Sequence, residues 1–409
     1  MTTASAQRRR LRLPHAELWR TADFRWFFSG YATSLLGSAM APVALAFAVL
    51  HGPGGTAAFG LVLTARILPL VLVLLLGGVA ADRLGSRPVM LTADTVRCLA
   101  QAGFAAALLA HGPLWTLLVL AALGGAGEAV FGPALAALIP RIAPAERLTE
   151  ANALFTLARS GATVAGPALA GLLTAGIGPA PVLALDAASY AVSVLALSRL
   201  TVRAAAPQAA PGLLRELREG WGEFRSRTWL WVSCLHGCLF NLLCWAPYLV
   251  LGPAISTTRL GGAWAWGLVT AGYGAGAVLG ALALLGGRRP ARPVLVSTVA
   301  MAGFALPSGA LALGAPLPLV CLGALGAGVA SSVAGTLYST AQQRMIPAAA
   351  RARVDAYGSL GAFALGPVGL ALAGPVAALL GSGTVLALGA LWQLAATAAV
   401  LAVPAVRGN

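Results

Sequence analysis

Long apolar blocks follow one another along almost the whole chain of 409 residues, separated by short charged or Gly- and Pro-containing segments. One helix that crosses a lipid bilayer needs about 20 consecutive apolar residues, and the blocks have that length. The pattern predicts twelve membrane helices, at residues 25–49, 57–80, 88–110, 114–138, 149–175, 180–199, 229–252, 263–286, 293–313, 317–340, 355–380 and 384–404. We therefore expect an all-α integral membrane protein.

The composition agrees with this expectation, because 59% of the residues are hydrophobic and only 10% are charged. A soluble domain needs more charges to cover its surface, so lipid must be the solvent for most of the chain. The net charge of +15 is also typical of nucleic-acid-binding proteins. The arginines lie between the apolar blocks, however, which is the distribution of a membrane protein, and we predict no nucleic-acid partner.

Arginine placement predicts the orientation of the chain in the membrane. The basic residues concentrate in the two termini and in alternate connections, at residues 81–88, 140–150, 199–228, 287–292 and 341–354. The intervening turns are almost neutral, and Arg259 is the exception. Because basic loops stay on the cytoplasmic side, we expect a multi-pass plasma-membrane protein with both termini in the cytoplasm. Polar sequence follows the N-terminal arginines, so no cleaved signal peptide is expected.

The longest connection divides the chain near its middle, and short matches recur on both sides of it. Arg87-Pro88 recurs as Arg292-Pro293, and Gly166-Pro167 recurs as Gly366-Pro367, at offsets close to 200 residues. Such a repeat predicts two related halves with a transport site between them near the middle of the membrane. The mixed charges of Leu213–Arg227 predict a surface helix in the connection. We expect a cytoplasmic segment at 1–24, six-helix bundles at 25–199 and 229–404, a linker at 200–228 and a tail at 405–409.

The connection after the second predicted helix carries Gly78, Asp82, Arg83, Gly85 and Arg87. Asp82 ends a helix, where it can pair with Arg or with an opposing helix N-terminus, and Gly85 permits a tight reversal. These positions resemble the signature loop of the major facilitator superfamily. The resemblance implies twelve helices in two pseudo-symmetric halves, and a loop that latches the cytoplasmic gate. An ordinary basic loop is the alternative interpretation.

The fifth predicted helix contains Gly166, Pro167 and Gly171, which permit a bend and a close helix contact. This segment resembles the Gly-Pro motif of antiporters in the same superfamily, so it favours export over uptake. A helix that merely packs closely is the alternative.

Further segments are similar to the branch of the superfamily that contains macrolide-efflux proteins and enterobactin exporters. They are Asp23-Phe-Arg25, 131–140, 150–154, 185–190, 343–347 and Arg353-Val354. The chain departs from the family in two places. Gly37-Ser38 stands where the family often has Gly-Asp, and the loop at 286–292 contains no Asp. These departures leave proton coupling open.

Ionisable residues inside predicted membrane helices are costly and therefore indicate function. Arg66, Asp94, Arg97 and Asp186 are therefore candidates for proton coupling or substrate binding. Asp94 and Arg97 are three residues apart on one helix face, which predicts an ion pair that supports the loop. For Asp186 we expect a structural hydrogen bond between helices. Arg66 has no obvious partner in the sequence.

Glu128 and Arg159 are both predicted to lie near the middle of the membrane, and Glu128 has small neighbours that leave room for a ligand. An unpaired Arg at that depth would be prohibitive, so we expect Glu128 to be its partner. We interpret Glu128 as the proton-titrating or cation-binding residue, with a static salt bridge as the alternative.

The second half offers aromatic and polar side chains instead of charges. His236, Asn241, Trp245, Tyr273 and Tyr338 are candidates for a wall that contacts a large apolar substrate. Trp245 also suits an aromatic belt at the membrane interface. The five cysteines are predicted to be small packing residues, so we expect no metal and no cofactor.

Taken with the resemblance, these features predict a secondary exporter of a small amphipathic molecule, working by alternating access with protons as the coupling ion and as a monomer. No phosphate-binding Gly-Lys-Ser/Thr loop is present, and no nucleophile–base or metal cluster indicates an enzyme. An uptake carrier or lipid flippase on the same fold, and a membrane sensor that does not transport, are the alternatives.

Overall fold

The structure is a computed structural model that describes residues 18–201, 221–285, 290–347, 351, 354, 357–358 and 361–408, with the backbone alone at 74–83 and 145. Within these ranges the chain forms twelve long helical segments. They are α1 Ala22–Leu50, α2 Gly55–Leu84, α3 Ser86–Leu109, α4 Leu114–Ile142, α5 Leu148–Ile177, α6 Pro179–Ser198, α7 Thr228–Leu260, α8 Ala263–Leu285, α9 Pro293–Ala312, α10 Leu317–Met345, α11 Gly361–Leu380 and α12 Ser382–Ala402.

Eleven segments in the described part of the chain are long and apolar enough to cross a membrane. The twelfth is α3, which has 24 residues but carries Asp94 and Arg97 in its middle, both buried against neighbouring helices. The prediction of an all-α membrane protein with twelve helices is confirmed. The predicted end of α7 at residue 252 is too early, because this helix continues past Pro253 to Leu260. In lipid, ending it there would leave backbone groups without partners.

Contacts between the two six-helix halves follow a symmetric pattern. The main contacts are α5 with α8 and α2 with α11. Each helix of the first half corresponds to the helix six places later in the chain, so α2 corresponds to α8 and α5 to α11. The two contacts are therefore equivalent. This arrangement agrees with two halves related by a two-fold axis, as the sequence repeat predicts. Most of the linker predicted at 200–228 lies outside the described residues, apart from 200–201 and a final helical turn at 221–225.

The turns at 51–54, 110–113, 178, 261–262, 314–316 and 381 mark one end of the bundle, which we call the neutral end. The opposite end carries the first and last described residues and the described parts of the Arg-rich connections, and we call it the basic end. At the neutral end one hydrophobic core joins both halves, with Phe47 and Leu183 from the first and Leu251 and Trp266 from the second. At the basic end the described residues form separate cores, one in each half. In the described part of the chain, the halves therefore share one core at the neutral end and have separate cores at the basic end.

Glycines allow the closure at the neutral end. A Cβ on Gly267 of α8 would lie 2.6 Å from the carbonyl oxygen of Pro167 and 2.8 Å from Cα of Gly171, both on α5. In the symmetric contact, a Cβ on Gly60 of α2 would collide with the carbonyl of Leu370 on α11. Real side chains cannot occupy these positions unless the backbones separate.

We expect Gly267→Leu to prevent closure of the neutral end, because overpacking of this kind costs about 1–3 kcal/mol and the neighbouring atoms are backbone. Transport should fall about tenfold or more at normal expression. A cysteine in place of Ala46, which is buried in the core at the neutral end, should become accessible to an impermeant maleimide from that end in a chain without other cysteines. Gly161→Leu on α5, the helix that Gly267 contacts, is the control, since no atom lies within 4 Å of the Cβ position of Gly161. Equal effects of both variants would contradict this account.

Candidate functional site

A cavity of about 540 Å³ lies between the two halves. The first half contributes residues of α1, α2, α4 and α5, and the second contributes residues of α7, α8 and α11. Among the lining residues in the described part of the chain, Arg66 and Glu128 are the charged ones, and most others are apolar. Such a cavity suits a small molecule with a large apolar surface and few polar groups.

Glu128 forms an ion pair with Arg66, with 2.9 Å between its Oε2 and Nη2 of Arg66. The two side chains retain 39% and 20% exposure, which shows that the pair faces the cavity. The expected pairing of Glu128 with Arg159 is wrong, and Arg66 is the partner that the sequence did not reveal. Close packing of α2 on α4 brings the pair together, because a Cβ on Gly125 would collide with the carbonyl of Arg66.

Arg159 lies elsewhere, on an exposed face of α5. No ion pair among the described residues includes it. An Arg at this depth requires a carboxylate partner only where it is in contact with lipid. Water in the gap between the halves at the basic end can solvate this guanidinium instead, and that gap is not visible in the sequence.

Asp94 and Arg97 form the ion pair that their spacing predicts, with 3.2 Å between Oδ1 and Nη1. Asp94 is fully buried and accepts a second hydrogen bond from Oγ of Ser193 at 2.6 Å. Nη2 of Arg97 donates to the hydroxyl of Tyr190 at 2.7 Å and to Oγ of Ser38 at 3.2 Å. The guanidinium is therefore held by groups from α1, α3 and α6, as a buried charge requires.

Tyr190 and Ser38 also belong to this network, although the sequence alone does not indicate it. The guanidinium of Arg97 lies 4.2 Å from the ring centroid of Tyr190, and the Tyr190 hydroxyl is 2.9 Å from Oγ of Ser38. Ser38 stands where the superfamily often has Asp. The first helix therefore supplies a neutral hydroxyl to the arginine, and the carboxylate comes from α3.

Asp186 is 1% exposed and packs against α1, where a Cβ on Gly37 would lie 2.9 Å from its Oδ1. Its hydrogen-bond partner among the described residues is Ser189 of the same helix, at 3.5 Å from Oδ1. The hydrogen bond between helices that we expected for Asp186 is therefore not present among the described residues. Asp186 also interacts electrostatically with Arg66 and Arg97, so it belongs to the same charged group.

The proposed wall of the second half is only partly brought together. Asn241 and Trp245 line the cavity, and Tyr273 lies behind Trp245 with 5.7 Å between ring centroids. His236 is buried, with 3.4 Å between its Nε2 and Nε2 of Gln393. Tyr338 packs on Trp229 in the core of the second half at the basic end. The aromatic residues Phe59, Trp266 and Phe363 line the cavity without having been predicted, because their positions depend on helix packing.

A π-helical turn at Asn241–Trp245 interrupts α7 beside the cavity. Such turns often occur at functional sites because they rotate the following side chains out of the regular helical register. Nδ2 of Asn241 donates to the carbonyls of Gly237, at 3.0 Å, and Ala362 of α11, at 3.2 Å. Asn241 thereby links α7 to α11 at the π-helical turn, and Trp245, at the end of this turn, lines the cavity. The alternative of an interfacial position for Trp245 is therefore wrong.

The signature loop is partly described. Gly85 adopts φ +87°, the left-handed conformation that a tight reversal between α2 and α3 requires. Arg87 donates from Nε to the carbonyl of Leu197, at 2.9 Å, and from Nη2 to that of Ser198, at 2.7 Å. It thereby satisfies free carbonyls at the end of α6. The side chains of Asp82 and Arg83, and any contact of Gly78, lie outside the described residues.

The Gly-Pro segment of α5 lies between the halves. Gly166 packs on Ala39 of α1, Pro167 lines the cavity, and Gly171 packs on Gly267 of α8.

Among the residues that the structure describes, no group of three or more His, Cys, Asp or Glu side chains could hold a metal ion.

Comparison with known proteins agrees with this architecture. A sequence profile of the Major Facilitator Superfamily matches residues 27–366, and the chain belongs to this family of membrane transporters, which are not enzymes. Macrolide efflux protein A of Streptococcus pyogenes is 26% identical over 247 residues, which are 58% of this chain and 60% of that protein. The chain thus matches less than two thirds of that relative's length. The multidrug efflux pump Tap of Mycolicibacterium fortuitum is 29% identical over 354 residues, covering 82% and 84% of the two chains.

Solved structures share the fold at low sequence identity. A variant of the nucleoside transporter NupG superposes with a TM-score of 0.73 at 14% identity and covers 93% of this chain and 99% of that one. A POT family transporter in complex with a thioalcohol-conjugated peptide also gives 0.73, at 11% identity, with 92% and 95% covered.

Proposed function

We propose that this protein is a secondary exporter that moves a small amphipathic molecule out of the cytoplasm by alternating access, with protons as the coupling ion. The observation that carries the proposal is the apolar cavity between the halves with the Arg66–Glu128 pair in its wall. Efflux proteins among the relatives support the direction of transport.

A group of charged residues in the first half supports proton coupling. Two guanidinium groups, Arg66 and Arg97, share one half with the carboxyl groups of Asp94, Glu128 and Asp186. Three carboxyl groups and two arginines are electrically neutral together only when one proton is bound. A buried group with an uncompensated charge is costly, so gain or loss of one proton changes the energy of this half. Of the three carboxyl groups, Glu128 is the one that lines the cavity, and we assign the exchangeable proton to it.

The orientation follows from the arginines. The basic end is the cytoplasmic one in this proposal, because arginine-rich connections remain on that side of the membrane. The closed neutral end and the separate cores at the basic end then correspond to a state that receives its substrate from the cytoplasm.

Transport by the full chain in sealed vesicles with an imposed pH gradient tests the proposal. Amphipathic antibiotics and siderophore-like compounds are the panel, and at least one should accumulate against its gradient until a protonophore abolishes the pH difference. Accumulation that is insensitive to the protonophore would contradict proton coupling, and accumulation only in the opposite direction would indicate an uptake carrier. If no compound moves although some bind, the result would favour the alternative of a membrane sensor.

A further inference from the structure

One face of α5 changes from exposed to buried along its length. Asn152, Thr156, Arg159 and Thr163 follow at helical spacing on this face, and all four are exposed. Further along the same face, Ala170 and Thr174 are buried at the neutral end, with 0% and 7% exposure. We call the exposed part, residues 152, 156, 159 and 163, the polar stripe.

The polar stripe faces the gap between the halves and not the lipid. On one side of it, Gly166 packs on Ala39 of α1. On the other side, a Cβ on Gly274 of α8 would lie 2.5 Å from the carbonyl oxygen of Thr163. The opposite face of α5 carries Leu157 and Leu172, which are 69% and 65% exposed, as expected of residues in contact with lipid.

The stripe leads from the basic end to the cavity. Pro167 continues it by one turn and is part of the cavity lining. A molecule that enters from the basic end therefore passes three hydroxyl or amide side chains and one guanidinium before it reaches the apolar walls.

The balance of charge along this path is positive in the part that the structure describes. Arg66 and Glu128 neutralise each other inside the cavity. Arg159 has no carboxylate partner in any ion pair of the described residues. A cationic group would be repelled at the entrance, whereas an anionic group could accept charge-assisted hydrogen bonds from Arg159.

We infer that the transported molecule is an amphipathic organic anion or zwitterion, and that Arg159 binds its anionic group in the gap between α1 and α8. The inference rests on the proposed function and names its substrate class. Arg159 acts as a specificity-determining residue on the entry path, and the apolar part of the molecule occupies the cavity beyond Pro167.

Binding of two dyes with one ring system tests this inference at constant pH, with the full chain in lipid nanodiscs. Fluorescein is an anion and rhodamine 6G is a cation on the same xanthene rings. The wild-type protein should bind fluorescein more tightly. Arg159→Gln should weaken fluorescein binding about tenfold, the loss expected for one charge-assisted hydrogen bond, and leave rhodamine 6G binding unchanged or tighter. Arg159→Lys should restore most of the loss.

The control is Arg407→Gln, which removes one exposed arginine at the end of the chain and should change neither dye. Melting temperatures of all variants verify that they are folded. A wild-type protein that binds fluorescein no better than rhodamine 6G, or equal effects of Arg159→Gln on both dyes, would overturn the inference. If the dye result contradicts the inference but cationic compounds are transported in the vesicle experiment, the exporter proposal stands. If no compound is transported in the vesicle experiment, the exporter proposal itself is contradicted.

Discussion

The Glu128→Gln variant should lose accumulation of substrate against its gradient, while exchange of substrate down its gradient continues. The amide cannot gain or lose a proton, but it keeps the size of the side chain and can still accept a hydrogen bond from Arg66. An imposed pH difference would then have no group in the cavity on which to act. The accumulation ratio in vesicles should fall from its wild-type value to about 1, whereas counterflow should stay within about threefold of wild type.

Glu223→Gln is the matched control for this prediction. Glu223 also pairs with an arginine, Arg227, but it lies in the connection before α7, away from the cavity. Its substitution should leave the accumulation ratio unchanged. Full accumulation in the Glu128→Gln variant would contradict the coupling role of Glu128 and leave the Arg66–Glu128 pair as a static salt bridge.

The Asp94→Asn variant should lower the thermal stability of the purified protein more than any substitution of an exposed carboxylate. Asp94 is 0% exposed, and the change leaves the buried guanidinium of Arg97 without its ion-pair partner. Breaking a buried pair in this way costs about 3–5 kcal/mol. Asp186 is within electrostatic range of Arg97, so we expect the lower end of that range. Unfolding in detergent, followed by a thiol-reactive dye, is the measurement.

A double substitution separates this effect from a general loss of packing. Asp94→Asn combined with Arg97→Gln removes both charges, so it should be more stable than Asp94→Asn alone. If the double variant is the less stable of the two, the ion pair is not the reason for the loss.

The candidate site was predictable where partners lie on one helix, and not where they lie on different helices. Asp94 and Arg97 are three residues apart, so helix geometry alone brings them together. Arg66 and Glu128 are 62 residues apart, and their pairing depends on the packing of α2 against α4 at Gly125. Estimates of depth placed Glu128 and Arg159 at a similar level in the membrane, but depth gives no information about which way a side chain points.

Other errors have the same origin. The sequence allows Trp245 to lie either at the membrane interface or in a substrate wall, and the π-helical turn at Asn241–Trp245 decides between them. Tyr338 was grouped with the wall but belongs to the core at the basic end. A π turn adds a residue to one helical turn, so every later side chain on α7 is rotated relative to the regular period.

The sequence by itself determined the membrane environment, the number of helices and the division into two halves. These features depend on local composition, because a bilayer admits only helices of a certain length, and on a repeat that survives in short motifs. Tertiary structure alone decided which acidic and basic side chains pair, which end of the bundle has a core shared by both halves, and that Arg159 lies on an exposed face of α5. Those outcomes depend on the direction of each helix face, which the close contacts at Gly125, Gly171 and Gly267 set.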